Sequence, residues 1–543
     1  MTAIEGGATS TGDFVMFVVG LVVAFGVLPL LVLPRPRGVR SGLDAYVVNL
    51  VRWLAIIIVA SHAFSAVGIY GLWIWLPFIA LVAWFGRYRY QFDSPKPWLR
   101  WVFPSGGDGR RRIPKLKVGV ADRLRLLVIA LPTLAVFIGS FWLRAISIFS
   151  SEELHPPDAY VHLAWAQSFV NNQLWPDGFY PQGLPAIVAF TNVFTPFVDI
   201  FDVARFMGPL VGTTIVAAIY YVVVRLTRQP GAALFAAGSV GLFGALPQWR
   251  ISWSLQAGLL PQEFGLAIAL VAMVFAVLAV SESTADGTVR MFPFRSITVS
   301  GYALWAGLAT FVVSMTHPIS LLALAVVTAT AAICATAISF RFRRLVVTGV
   351  TVLVGAVIGQ LVQPVAYLFG VQRYQEWENA GGLAGVLLQS DRSDAWGDLS
   401  MLGRNELSFL AGAATVVALI GAGLVYKRGS RVRASQLLGL TCAGGVMVVL
   451  HDLTLIMFTV SDLYLDRFAG IIGQSLPLAL GAGFASLSLI AARTVTLTKV
   501  AVLMVAGVVA LGGFAWFAQS IASDGDIHFS RDFSATVYEE IAR

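Results

Sequence analysis

Apolar runs long enough to cross about 30 Å of hydrocarbon recur about fourteen times along the chain. They fall near 14–33, 45–67, 69–86, 124–144, 206–226, 231–247, 259–281, 298–316, 319–340, 345–369, 405–426, 435–459, 467–490 and 499–519. Run 69–86 is the shortest clear one and 231–247 the weakest. The pattern predicts an all-α polytopic membrane protein with about 14 transmembrane helices. A further apolar segment, GLPAIVAFTNVFTPF at 183–197, is short and bounded by proline. If it crossed fully, every later loop would change sides, so it reads as interfacial or re-entrant.

The polar positions between these runs carry a sign. Arg35, Arg37 and Arg40 follow the first run. The segment from Arg87 to Arg125 holds eleven basic residues against Asp93, Asp108 and Asp122. Arg225 and Arg228, Arg290 and Arg295, and Arg341, Arg343 and Arg344 come next. Lys427 to Arg433, then Arg493 and Lys499, complete the series. With simple alternation of helices all these clusters land on one side, which the positive-inside rule makes cytoplasmic. Both termini then lie outside. The opening MTAIEGGATSTGD has no Lys or Arg and leads into a long apolar run, so it reads as a first membrane helix rather than a cleaved signal.

The opposite side receives the long loop 145–205, a second polar loop at 371–404, short turns, and the tail 520–543. The long loop is acidic, with Glu152, Glu153, Asp158, Asp177, Asp199 and Asp202 against Arg205. Its densest stretch is SEELHPPDAYVHLAWAQSFVNNQLWPDGFYPQ, from Ser151 to Gln182. Pro156 and Pro157 suit a helix entrance, so a helix starts near Asp158. Asp158 and His162 share one face of it, and that face continues as Trp165 and Phe169, the composition of a helix lying in a membrane interface. The chain accordingly divides into a three-helix segment with a basic loop (1–123), a core with the long loop (124–370), the second loop (371–404), C-terminal helices (405–519) and the tail.

Composition narrows the class. The chain is 57% hydrophobic and 12% charged, with mean hydropathy +0.79, whereas a soluble globular chain is about 25% charged. A net charge of +8 would point a soluble protein toward nucleic acid; here the bases sit in the loops that face the cytoplasm. No nucleic-acid partner is expected. Cys334 and Cys442 both lie inside apolar runs, which leaves neither a disulfide framework nor a thiolate metal site.

The candidate chemistry is carboxylate, imidazole and guanidinium. Glu152, Glu153 and Asp158 are candidate bases, since a carboxylate near apolar surface is raised toward neutrality and can take a proton from a sugar hydroxyl. The alternative for each is a solvated acid on an outer loop. His155 and His162 suit phosphate or a metal, although no further His or Cys stands at ligand spacing, and no divalent ion is strongly implied. Arg467 and Arg250 run against the charge bias and suit bidentate phosphate contact. Pairing of Arg467 with Asp466 or Asp462, or snorkelling, is the plainer explanation. His317 beside Pro318 can donate to a phosphate oxygen or cap its turn. His451 and Asp452 lie within an apolar run, where ionisable groups are costly, and either line a site, relay protons or hydrogen-bond between helices. Glu263 with Gln262 near the outer end of its helix is read in the same way. His62 is placed on the cytoplasmic side as a buried polar residue, and the basic 87–123 segment as a contact for anionic headgroups.

The interfacial stretch PPDAYVHLAWAQSF followed by FYPQGLPAIVAF resembles the GT-C superfamily of integral membrane glycosyltransferases, whose oligosaccharyltransferase-type members carry an Asp-x-Tyr-x-His like Asp158-Ala159-Tyr160-Val161-His162. Thr316-His317-Pro318 and Asp466-Arg467-Phe468 are similar to turns in some actinobacterial GT-C-like proteins. The resemblance covers roughly 124–490. It implies a GT-C-like core and a polyprenyl-phosphate-linked sugar donor. It further implies inverting transfer to a cell-envelope glycan or glycolipid acceptor on the extracytoplasmic face of the cell membrane. Glu153 or Asp158 would then be the base, and Arg467 and His317 would hold the leaving phosphate. The chain departs from the family in lacking a WWD signature and an appended soluble domain, so protein N-glycosylation is not expected, and three helices precede the core. Two other classes stay open: a secondary transporter or flippase of a lipid-linked or polar solute, favoured by His451-Asp452 and the helix count, and a non-catalytic membrane scaffold derived from a transferase.

Overall fold

The computed structural model describes residues 11–36, 39, 41–90, 120–150, 158–174, 181–243, 260–282, 288–290, 298–369, 406–458 and 476–491. The chain opens with α1 (Thr11–Leu21), which runs through a π-helical segment, Val22–Val27, into α2 (Leu28–Val32). There follow α3 (Gly42–Ala66), α4 (Leu72–Tyr90), α5 (Val120–Ser150), α6 (Asp158–Val170), α7 (Gly183–Phe194) and α8 (Ile200–Thr227). Next are α9 (Pro230–Gly238), a second π-helical segment, Ser239–Phe243, and α10 (Leu260–Ser281). The remainder is α11 (Gly301–Ser314), α12 (Pro318–Ser339), α13 (Phe342–Phe369), α14 (Glu406–Lys427), α15 (Arg431–Phe458) and α16 (Pro477–Ala491). The described elements are helical, as expected, apart from one short ladder. Between α10 and α11, β1 (Thr288–Arg290) pairs antiparallel with β2 (Thr298–Ser300), with Val289 opposite Val299.

Among the described residues, eight helices are long and apolar enough to cross a membrane, from Gly12–Val32 to Arg431–Leu450, and six shorter apolar helices accompany them. The chain is a helical membrane protein. At its centre stands α10, buried along its whole length from Pro261 to Ser281. A helix apolar all round belongs in such a position. Helices α8, α11 and α12 pack on it, α13 lies against α11, α15 joins α12 to α14 and α16, and α9 bridges α8 to α16. Lipid is as apolar as this core, so helix association rests on close packing and on polar ties between helices. The far side of α13 exposes Val346, Val350, Leu353 and Leu361, as a lipid-facing helix does.

The strongest polar tie marks one end of the bundle. Asp44, in the first turn of α3, is fully buried. Its carboxylate accepts from the Tyr221 hydroxyl at 2.9 Å, the Tyr302 hydroxyl at 2.7 Å and Arg225 Nε at 2.9 and 2.8 Å. Arg225 also donates through Nη2 to Glu282 at 2.7 Å. Arg341 and Arg344 in turn donate to the Glu282 main-chain oxygen. Thus the start of α3, the ends of α8 and α10, and the starts of α11 and α13 meet, with their arginines, at a single end, as strict alternation of helix direction requires. Arg52 adds the chain before α3 by donating to Pro34 O at 2.8 Å, and its guanidinium lies 5.8 Å from the Trp305 ring. This is the Arg-rich end. The sequence had read Arg225, Arg341 and Arg344 only as topology markers.

Candidate functional site

The described part of the acidic segment packs against the bundle. Its first helix begins at Asp158, where Pro156 and Pro157 place the start. It ends at Val170, and in the turn that follows Asn172 takes the left-handed region, φ 59°, a conformation that Asn tolerates better than most residues. The Asn172 side chain accepts from the Tyr70 main-chain N–H at 2.5 Å, and Ser65 Oγ donates to Gln173 O at 2.9 Å. The end of α6 is thereby fastened to the turn between α3 and α4. The apolar face of α6 is covered by protein, which corrects the interfacial expectation: Phe169 is fully buried and meets the His62 ring at 4.9 Å. The same contact relocates His62. It belongs to the end of α3 opposite Asp44, with the acidic segment, and away from the Arg-rich end.

The segment at 183–197 forms α7, twelve residues long. That is about 18 Å of helix, too short to cross about 30 Å of hydrocarbon. Every residue from Gly183 to Thr191 is buried, so α7 lies inside the protein and not along an interface. Its position follows from where α11 stops. This helix has fourteen residues, about 21 Å, and ends in the turn Met315-Thr316-His317 before α12 begins at Pro318. The Gly183 N–H donates to Met315 O at 2.6 Å. A Cβ at residue 183 would stand 2.5 Å from that oxygen, so only glycine admits the approach. Irregular backbone at membrane depth is tolerated where protein surrounds it. Thr316 is fully buried and His317 is 4% exposed.

The same turn is latched to the first turn of α10, because Ser320 Oγ donates to Gln262 O at 2.7 Å. Gln262 and Glu263 are buried there, the carboxylate completely. A negative charge is favoured at that place, since it sits at the positive end of the α10 dipole. The Glu263 charge also acts on the Arg144 guanidinium of α5. Arg144 in addition donates to Ser140 Oγ at 2.7 Å and to Gly241 O at 3.0 Å, supplying donors to carbonyls at the end of the second π-helical segment. Arg205 pairs with Asp202 at 3.4 Å on α8. A buried carboxylate, a guanidinium, an imidazole and the amides Gln182 and Gln262 therefore occupy the end opposite the Arg-rich one. Such a set can hold a phosphate or hydroxyl in a site of low dielectric, where charge-assisted contacts are strengthened.

Of the residues singled out from the sequence, Glu263 and His317 are brought to one place. His162 lies on α6 with its ring 5.1 Å from Trp165, and part of its surface stays accessible. Burial of the ring nonetheless pushes its pKa down to about 3, so it is neutral at physiological pH. Asp158 opens α6, Tyr160 follows on it, and His451 and Asp452 lie on α15; their side chains are outside the described set. Glu152, Glu153, His155, Arg250 and Arg467 lie outside the described residues. Among the described residues no group of three or more His, Cys, Asp or Glu is placed to hold a metal ion. Sequence reasoning passed over Arg144 and Gln182. A basic residue at the far end of a membrane helix, against the charge bias, was the signal for Arg144. Gln182 carries none beyond its place before a glycine. No family model matches this chain, and no curated protein matches it.

Proposed function

We propose that the chain is an integral membrane glycosyltransferase of GT-C-like arrangement, with about fourteen crossings. It moves a sugar from a polyprenyl-phosphate-linked donor to a cell-envelope glycan or lipid acceptor. The Arg-rich end faces the cytoplasm and the end holding Glu263 and His317 faces outward. The observation that carries this reading is the docking of the acidic segment: α7 is hydrogen-bonded through Gly183 to the turn that leads into His317, beside the buried Glu263. This docking supports a reading in which the acids of the polar loop and the groups suited to a phosphate work at one end of the bundle.

In this mechanism Asp158 or Glu153 takes the proton from the acceptor hydroxyl as it attacks the anomeric carbon. The departing phosphate collects donors from His317 and Arg467, and Glu263 orients Arg144 toward the same charge. A leaving phosphate develops charge in the transition state, and donors fixed in place beforehand are the most effective way to stabilise it. The test is transfer of labelled sugar from a polyprenyl-phosphate donor in membranes holding the chain. Asp158→Asn or Glu153→Gln is expected to lower the rate by about 10²- to 10⁴-fold, the usual effect of removing a general base. If transfer is undetectable in the parent chain, or both variants transfer sugar normally, the mechanism is wrong. Loss of solute movement in those variants with normal transfer replaces it with a transporter.

A further inference from the structure

Cys334 and Cys442 are more than a hundred residues apart in the chain and look unrelated in the sequence. The packing of α12 against α15 brings them together. These helices run in opposite directions on small residues. Ser435 Oγ donates to Ala335 O at 2.5 Å, and a Cβ at Gly439 would stand 3.0 Å from Ala331 O and 3.3 Å from Ala335 Cβ. A glycine facing alanines lets the two backbones approach more closely than leucine contacts allow. Cys442 lies two turns beyond Ser435 on the same face of α15, and Cys334 lies between Ala331 and Ala335 on α12. Both cysteines therefore lie along the α12–α15 seam, and each thiol is the other's neighbour there. Both are free and half-buried, at a seam whose neighbour Ile333 is exposed on the apolar surface.

We propose that Cys334 and Cys442 are an oxidisable thiol pair that lipid-soluble hydroperoxides close to a disulfide, stapling α12 to α15. One thiol sulfur attacks the peroxide; the O–O bond breaks, an alcohol leaves and a sulfenic acid forms. The second thiol attacks that sulfur, the S–S bond forms and water leaves. In sum, two thiols and one hydroperoxide give one disulfide, one alcohol and one water. Two electrons pass from the sulfurs to the peroxide, so no further reductant or oxidant is needed. The half-buried position admits an oxidant dissolved in the bilayer, and the close backbones suit the short Cα separation, about 4.4–6.8 Å, that a disulfide requires. The staple would fix α15, which carries α14 and α16, to the core helix that rests on α10.

The test uses the full chain in membranes treated with cumene hydroperoxide, then denatured and labelled with a polyethylene-glycol maleimide. Both adducts are expected to vanish together and to return with dithiothreitol, and peptide mass spectrometry is expected to find Cys334 linked to Cys442. In Cys334→Ser and Cys442→Ser no Cys334–Cys442 linked peptide can form, and the variant that keeps the resolving thiol is expected to keep its single adduct at the same exposure. Labelling is read after denaturation, so a variant that folds poorly still reports. Persistence of both adducts in the parent chain overturns the proposal, and so does a disulfide between two chains or separate overoxidation of each sulfur.

Discussion

At the Arg-rich end, the Asp44 carboxylate is surrounded by Tyr221, Tyr302 and Arg225, and Arg225 reaches on to Glu282. At the opposite end, Glu263 is as deeply buried, but it stands at a helix start beside a turn of irregular backbone, with amides, an imidazole and the single guanidinium of Arg144 around it. The first arrangement closes charge upon charge between five helix ends and has the character of a clasp. The second gathers mostly neutral polar groups around one carboxylate, and it sits where a short helix, α7, takes the space that α11 leaves. Both ends bury acids in apolar helices; burial alone therefore does not mark a working site, and what surrounds the acid decides.

The largest expected effect breaks the clasp. Arg225→Met leaves Asp44 and Glu282 without their cation, and removing one partner of a buried pair costs about 3–5 kcal/mol. Denaturant unfolding in detergent should show that loss, while transfer per folded molecule stays at the parent level. Glu263→Gln should do the reverse in the transfer assay, lowering the rate per folded molecule by about 10²-fold, the scale of one lost electrostatic contribution. If both variants lose only stability, the two ends are alike and the contrast is void. Next in size is Gly183→Ala, whose added Cβ meets the Met315 oxygen. Overpacking of this kind costs about 1–3 kcal/mol, read as a lower melting temperature of the full chain in detergent.

Acid should act on the same end. His162 in the folded protein refuses a proton until the pH approaches about 3, whereas an unfolded one accepts it near the ordinary 6.5. Stability is therefore lost as the pH falls through that interval, by at most about 1.4 kcal/mol per pH unit. A melting curve taken from about pH 7 to about pH 5 should be flatter in His162→Gln than in the parent; equal slopes mean that the ring is not desolvated. The smallest effect is at the other end. Trp305→Leu removes the ring beneath Arg52 and should cost about 0.5–1 kcal/mol in the same unfolding assay.

Much of the architecture was legible in the chain. The helices α3, α8, α10 and α12 lie where runs 45–67, 206–226, 259–281 and 319–340 predict them, and α6 starts at the residue that follows two prolines. Length and apolarity carry that information locally. The pairing of the ends was only half legible. Alternation puts Arg225 and Arg341 on one side, but nothing local says that Asp44 waits for them in the first turn of α3. Likewise Trp165 and Phe169 read as a membrane-facing stripe because lipid and protein interior are equally apolar, and a sequence does not distinguish them. Glu263 and His317 could be picked out as costly polar residues in oily runs, yet their meeting depends on a serine of α12 and a glycine of α7.

The sequence by itself determined that this is a helical membrane protein, where its helices start, and which of their ends carry arginine. Those properties follow from free energies of transfer and from backbone sterics that act within a few residues. Only the tertiary structure decided which acids face which bases, that a short apolar segment turns inward, and that two distant cysteines share one helix seam. These depend on contacts a few ångströms long between residues far apart in the chain, and in a medium as oily as the core itself, close packing and polar partners are what choose among the arrangements.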